Sequence, residues 1–277
     1  MEGIAVKKDT LSYLRRIGGL VFGFGNQFLF LITVWYLFWF LRDGSLNEKH
    51  DYWMIVDIGL ATIFAVTHSL LLAPWFRRRL GKWIPAPFYD SFFCTVTCIS
   101  LLLLFFQWRT SSFHFWSLSG WPAFGIHLCF YGSWIALLYS LALTGLGYQN
   151  GWTPFYYWLR NQKLPRREFV TRGAYKYLRH PVYLSFLGLI WFTPRMSLDH
   201  AVLTAVWSFY IFIGSVLKDQ RLSQLIGPLY RKYSEKVPGY PFMLLGPLAR
   251  WKPMGREEHY TLPIQVDRKN ETVALPK

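Results

Sequence analysis

At 277 residues, 53% hydrophobic and 20% aromatic, with a net charge of +15, the chain is long enough for one or two soluble domains, yet its apolar residues fall into separate runs. Several runs approach the ~20 residues that cross a ~30 Å hydrocarbon layer, and basic loops divide them. The positive charge therefore sits between spans rather than on one soluble face, which excludes nucleic acid as the natural partner and favours a membrane surface.

Residues 1–16 carry Lys7, Lys8, Arg15 and Arg16 and read as a cytoplasmic leader. Residues 17–41 form the first span, too long for a signal-peptide core and with no small-residue cleavage site after it. Asn26 and Gln27 are its strongly polar side chains and read as hydrogen-bonding residues of the helix bundle. The second span covers 53–74 and holds Asp57 near its start and His68 near its end. An ionisable residue in a span is a functional candidate, but His68 lies within about two turns of Arg77, Arg78, Arg79 and Lys82. It reads equally as an acceptor-side residue or as an interfacial one.

Residues 91–108 form the third span, with Cys94 and Cys98 at i, i+4 as small packing residues. With Cys129 they make three cysteines, all in apolar runs and without CxxC or ligand-spaced histidines, so neither a disulfide framework nor a metal site is expected. A fourth span covers 123–146, with His127 as an interfacial or packing residue. The next connection, 147–179, is long, basic and aromatic, and therefore expected to be ordered and functional. Pro181 suits the first position of a helix. The apolar stretch that follows, 182–193, is only about 18 Å of helix. Either that helix begins earlier, or it forms a hairpin with its successor that does not span symmetrically. Ser197 is a plausible N-cap for a sixth helix over 198–217.

From Lys218 to Val237 the pattern turns amphipathic, as for a helix lying at the membrane, and 239–277 reads as a cytoplasmic tail of limited order. The expectation is an all-α, polytopic transmembrane bundle of five to six spans with a C-terminal amphipathic helix. It divides into the leader, N-terminal helices (17–146), a catalytic region (147–238) and the tail. Basic residues divide 26 against 4 between the two sides, which puts both termini and the 171–191 segment in the cytoplasm.

That segment, TRGAYKYLRHPVYLSFLGLIW, holds more than a boundary anchor needs. Gly173 permits close approach of backbone to a ligand, His180 can donate or accept near neutral pH, and Arg179 can clamp a carboxylate through two N–H groups. Tyr175 and Tyr183 can pack against a flat ring or a cation, and a helix N-terminus attracts anions. These groups suit a zwitterionic, cationic cofactor with an aromatic ring, as S-adenosylmethionine is.

The ordered set Gly173, Tyr175, Arg179, His180, Pro181 and Tyr183, followed by Gly227, Tyr230 and Tyr233, resembles the integral-membrane methyltransferases that include isoprenylcysteine carboxyl and phospholipid methyltransferases. Within that superfamily the stretches FAVTHSLLLAPWFRRRLGKWIPAPFYDS and WFTPRMSLDH look like those of bacterial methanethiol S-methyltransferases. The resemblance implies S-adenosylmethionine as donor, a small or lipophilic thiol as acceptor, and a bacterial inner-membrane location. It implies cofactor contacts from Gly173, Tyr175, Arg179, His180, Pro181, Tyr183 and Asp219, with His180, Arg179 and Arg221 in the reaction and His68 and Arg221 on the acceptor side. The family usually carries two glutamates where this chain has Lys218 and Asp219, a local change of two charge units at the first position. Two other readings share parts of the pattern: membrane sterol reductases, which bind a nicotinamide cofactor, and non-catalytic relatives of the denitrification-associated type.

Overall fold

A computed structural model describes residues 2–45, 47, 52–165, 168–251 and 273–274, with side chains described from Tyr13 onward, except those of Glu168 and 273–274. Lys49, Arg166, Arg167 and most of the tail beyond Trp251 lie outside the described residues. The chain forms two compact units, Met1–Thr110 with Leu146–Leu164, and Ser111–Gly145 with Pro165–Lys277.

The first unit contains α1 (Glu2–Asp43), α2 (Trp53–Leu72), α3 (Pro74–Leu80) and α4 (Tyr89–Gln107). To these it adds α6 (Leu146–Gln149) and α7 (Trp152–Leu159), with α5 (Gly120–Thr144) belonging to the second unit. The leader is continuous with the first span in one 42-residue helix, because nothing from Glu2 to Asp43 is proline. α4 packs on α1 and α2. Asn26 donates to the Asn150 carbonyl at 2.7 Å and accepts from Thr95 Oγ1 at 3.0 Å, while Gln27 donates to the same carbonyl at 3.2 Å. Both serve the bundle as read, capturing a loop carbonyl that hydrocarbon could not solvate. Asp57, fully buried, accepts from the Arg109 backbone N–H at 3.2 Å and so holds the end of the third span. His68 is half-buried, with ring centroids of Phe64 and Phe93 at 5.7 and 5.0 Å.

The second unit contains β1 (His114–Ser117), α5 (Gly120–Thr144), β2 (Glu168–Phe169), α8 (Pro181–Trp191), β3 (Arg195–Ser197), α9 (Leu198–Ile226), α10 (Pro228–Lys236) and β4 (Val273–Ala274). β1 pairs antiparallel with β3, and β2 with β4, so short two-stranded ladders accompany an otherwise helical fold. α8 packs on α5 and α9. Gly188 faces Ser133 so closely that an added Cβ would lie 2.2 Å from its Oγ, a small-residue contact of the kind that lets membrane helices approach.

Five described helices are long and apolar enough to cross a membrane: Tyr13–Asp43, Trp53–Leu72, Ala86–Gln107, Gly120–Thr144 and Leu198–Ile226. The protein is a multi-pass membrane protein. α8, at 11 residues, is about 16 Å long and does not cross alone. It starts at Pro181, as its fixed φ and missing N–H allow, and not earlier in the motif. Its last-turn carbonyl at Ile190, which no later helical N–H reaches, is met by His200 Nε2 at 2.9 Å and Thr204 Oγ1 at 3.0 Å.

Three expectations are corrected in this unit. The sixth helix does not stop at Leu217 but continues to Ile226, since the first breaker is Gly227, at φ +67°, followed by Pro228. The separate amphipathic helix is thus the nine-residue α10. Ser197 occupies the N-cap position of α9 but its side chain makes no capping bond. Finally, residues 238–250 are not a loose tail: Tyr240, Leu248 and Ala249 are buried, and the Gly239 N–H donates to the Leu248 carbonyl at 2.7 Å.

Candidate functional site

The continuation of α9 decides where Asp219 lies. Twenty-one residues after Leu198, it is about 32 Å along the axis, just past the length of a hydrocarbon layer. His180, immediately before α8, meets it there: Nε2 lies 3.0 Å from Asp219 Oδ1. Arg179 Nη2 lies 3.0 Å from Oδ2 of the same carboxylate. Tyr230, three residues beyond Gly227, closes the group by donating its hydroxyl to Asp219 Oδ1.

These contacts are short but poorly aligned at both nitrogens. Neither ring nitrogen of His180 nor Oδ2 of Asp219 has a properly directed hydrogen bond among the described residues, although all are buried, and Arg179 Nε is in the same condition. His180 Nε2 and Asp219 Oδ2 each have an ion-pair partner at 3.0 Å, which leaves His180 Nδ1 and Arg179 Nε as the buried nitrogens of this group with no such contact among the described residues, where buried polar groups are normally satisfied. Burial holds His180 below the ordinary histidine value despite the neighbouring carboxylate, with Lys218 and Arg179 adding to the depression. The pair is a neutral imidazole beside a carboxylate whose counter-charge is Arg179.

Aromatic rings complete the surroundings. Tyr183 stacks on His180 with centroids 5.4 Å apart and planes 6° from parallel, and Tyr240 lies 5.7 Å away at 34°. Burial raises the Tyr240 phenol to about 12, and its hydroxyl lies 2.6 Å from Ser215 Oγ. Burial likewise raises Tyr230 and Tyr233, so all three act as neutral hydrogen-bonding groups. Lys218 Nζ stands 4.8 Å above the Tyr183 ring.

Arg179 differs most from its expected use. Nη1 donates to the carbonyls of Ser234, Val237 and Ala249 at 3.1, 3.0 and 3.2 Å, and Nη2 to those of Ala249 and Pro247 at 3.2 and 3.4 Å. The fork expected to clamp a ligand carboxylate instead ties residues 234–249 to the motif; its backbone N–H also donates to Pro238 O, and that of His180 to Gly239 O. Tyr233 continues the seam by donating to Tyr175 O at 2.6 Å. Gly173 sits at φ +60° in a 3₁₀ turn (Gly173–Lys176), where a Cβ would lie 2.6 Å from Tyr139 Oη. It shapes the loop, and Tyr175 is buried beneath it. Pro181 is buried at the first position of α8, and Arg221 is half-buried two residues past Asp219. His68 belongs to the other unit.

The residues not foreseen are Tyr240, Ser215 and Gly239. The run Pro238-Gly-Tyr-Pro241 is a turn signal, and it marks the place where the chain doubles back over the site. A Cβ on Gly239 would lie 2.9 Å from Leu248 O and 3.3 Å from His180 Cδ2. Gly239→Ala is expected to displace the imidazole by a few tenths of an ångström and weaken ligand binding about tenfold. A binding isotherm on the folded variant checks this.

An ionised acid and a neutral imidazole stand together among aromatic faces at the end of a membrane helix. The chain is 27% identical over 246 residues to a methanethiol S-methyltransferase of Crocosphaera subtropica, covering 84% of this chain and 95% of that one. It is 25% identical over 234 residues to the methanethiol S-methyltransferase of Mycobacterium tuberculosis, covering 81% and 96%, and 28% identical over 203 residues to Nurim of Danio rerio, covering 69% and 70%. No family model matches the chain, and no solved structure matches it. The chain fits the integral-membrane methyltransferase superfamily.

Proposed function

We propose that the protein is an S-adenosylmethionine-dependent membrane methyltransferase whose acceptor is methanethiol, giving dimethyl sulfide. The observation that carries this reading is the buried junction of His180, Arg179, Tyr230 and Asp219. The similarity to enzymes named for this reaction over more than four-fifths of the chain supports it. The residues fit S-adenosylmethionine: a carboxylate and tyrosine faces for its positive charge, and an imidazole for its hydrogen-bonding groups.

When bound, S-adenosylmethionine supplies an electrophilic methyl carbon. With that donor and a thiolate acceptor both held in the site, transfer of the methyl group would turn a cation and an anion into two neutral thioethers. Partial charges shrink toward the transition state, and a site low in water does not resist that loss as bulk water would. The protein's work is mainly alignment. His180 and Asp219 fix the donor, Tyr183 and Tyr240 exclude water, and Arg179 holds the covering loop in place. Lys218 and Arg221 add positive charge on the same helix, which favours the acceptor as thiolate. The excess of basic residues on one side supports a cytoplasmic position for this site and both termini, where the donor is available.

Purified protein in lipid nanodiscs, given methanethiol and methyl-labelled S-adenosylmethionine, is expected to release labelled dimethyl sulfide into the headspace. Well-folded protein that releases none would favour the non-catalytic alternative.

A further inference from the structure

The segment that covers the site has a second face. Between buried Tyr240 and buried Leu248, the sequence Pro-Phe-Met-Leu-Leu-Gly-Pro turns outward, and Phe242, Leu244 and Leu245 are 97%, 84% and 85% exposed. Phe242 also has φ +59°, a conformation that a bulky side chain adopts only against steric resistance. Glycine or asparagine would fit that turn more easily. Three large apolar side chains at the tip of one short loop are a concentration that water does not favour.

The depth of the loop identifies what covers it. Tyr240 rests against α9, with its hydroxyl 2.6 Å from Ser215 Oγ and its ring 5.2 Å from that of Phe212. Ser215 is 17 residues into a helix whose first ~20 residues match the hydrocarbon layer. The loop therefore leaves the helix at membrane depth, beside the exposed Phe212, Ile213 and Leu217 of the span. Its backbone folds back on itself through Gly239 N to Leu248 O and Ala249 N to Gly246 O, as backbone near lipid must. Exposed Arg231, Lys232, Lys236 and Arg250 and the half-exposed Trp251 flank it in sequence, a basic and aromatic setting suited to an anionic headgroup layer.

We propose that residues 241–245 insert into the lipid bilayer and that the membrane thereby holds the 238–250 strap closed over Arg179, His180 and Asp219. This goes beyond the methyl-transfer reading and does not require it.

The test is depth, read on the full-length protein in mixed phosphatidylcholine and phosphatidylglycerol vesicles. Leu244→Cys, and separately Leu245→Cys, each in a Cys129→Ser background because Cys129 is exposed whereas Cys94 and Cys98 are buried, would carry a nitroxide label. Collision with dissolved oxygen severalfold more frequent than with a water-soluble nickel chelate is the expected result at both positions. Free collision with the chelate would overturn the proposal by placing the loop in water. Protection from both reagents would overturn it too, by showing that protein covers the loop. Because the label reports position and not turnover, a failure here leaves the methyl-transfer reading standing, and the converse also holds.

Discussion

Arg179→Ala is expected to release the 238–250 strap and to destabilise the second unit by roughly 3–5 kcal/mol, the usual cost of removing one partner from a buried charged pair. The guanidinium reaches five backbone carbonyl contacts and one carboxylate oxygen within 3.4 Å. Its loss strands several buried acceptors, and the Asp219 carboxylate loses its counter-charge. Arg179→Lys should recover little, since an ammonium offers three donors from a point and cannot reproduce a planar fork. Limited proteolysis reads the result: cleavage within 238–250 should become fast in both variants while cleavage in the first unit stays unchanged. A strap equally protected in Arg179→Ala would show that the carbonyl contacts contribute nothing.

The second large effect belongs to the carboxylate that the other groups face. Asp219→Asn keeps the shape but removes the negative charge beside Arg179 and Lys218, so these three side chains go from a net +1 to +2 and a sulfonium loses its one nearby anion. At an effective dielectric of ~20 a unit charge at ~4 Å is worth about 4 kcal/mol before screening, and even half of that is roughly a thirtyfold loss of affinity. His180→Ala should cost less, on the order of tenfold, because Tyr230 still holds Asp219 Oδ1. The histidine also predicts a pH dependence. Burial depresses its folded-state value below the ordinary ~6.5, so the unfolded chain binds the extra proton first as pH falls. The contribution of a neutral His180 is thus complete above about pH 6.5 and is lost progressively below it. His180→Asn, which cannot titrate, should flatten the acid limb of a thermal-stability profile taken between about pH 7 and 5.

Much of this arrangement was legible before the structure. Hydropathy located all five long spans, because a run of about 20 apolar residues is a direct demand of the hydrocarbon layer, but ended the last at Leu217 instead of Ile226. Pro181 was legible as a helix start for a purely local reason. The sequence also brought attention to His180 and Asp219, which the fold joins at 3.0 Å across 39 residues of chain.

What was not legible depends on contacts distant in sequence. The change from apolar to amphipathic at Lys218 looked like a helix boundary, yet a change of hydropathy alone breaks no backbone hydrogen bond, and α9 runs on to Gly227. The order of 238–250 arises from Arg179, some 60 residues earlier, and composition read those residues as tail. Arg179 misled for the same reason: a two-pronged donor suits a ligand carboxylate and a pair of carbonyls equally well, and only the fold decides.

The proposed function requires that Asp219 and His180 hold the methyl donor. Equilibrium binding of radiolabelled S-adenosylmethionine to purified full-length protein in nanodiscs tests it most directly. Binding is expected to be saturable, to resist displacement by nicotinamide cofactors and to weaken about thirtyfold or more in Asp219→Asn; unchanged binding in that variant, or displacement by a nicotinamide dinucleotide, would show that Asp219 and His180 do not hold the methyl donor.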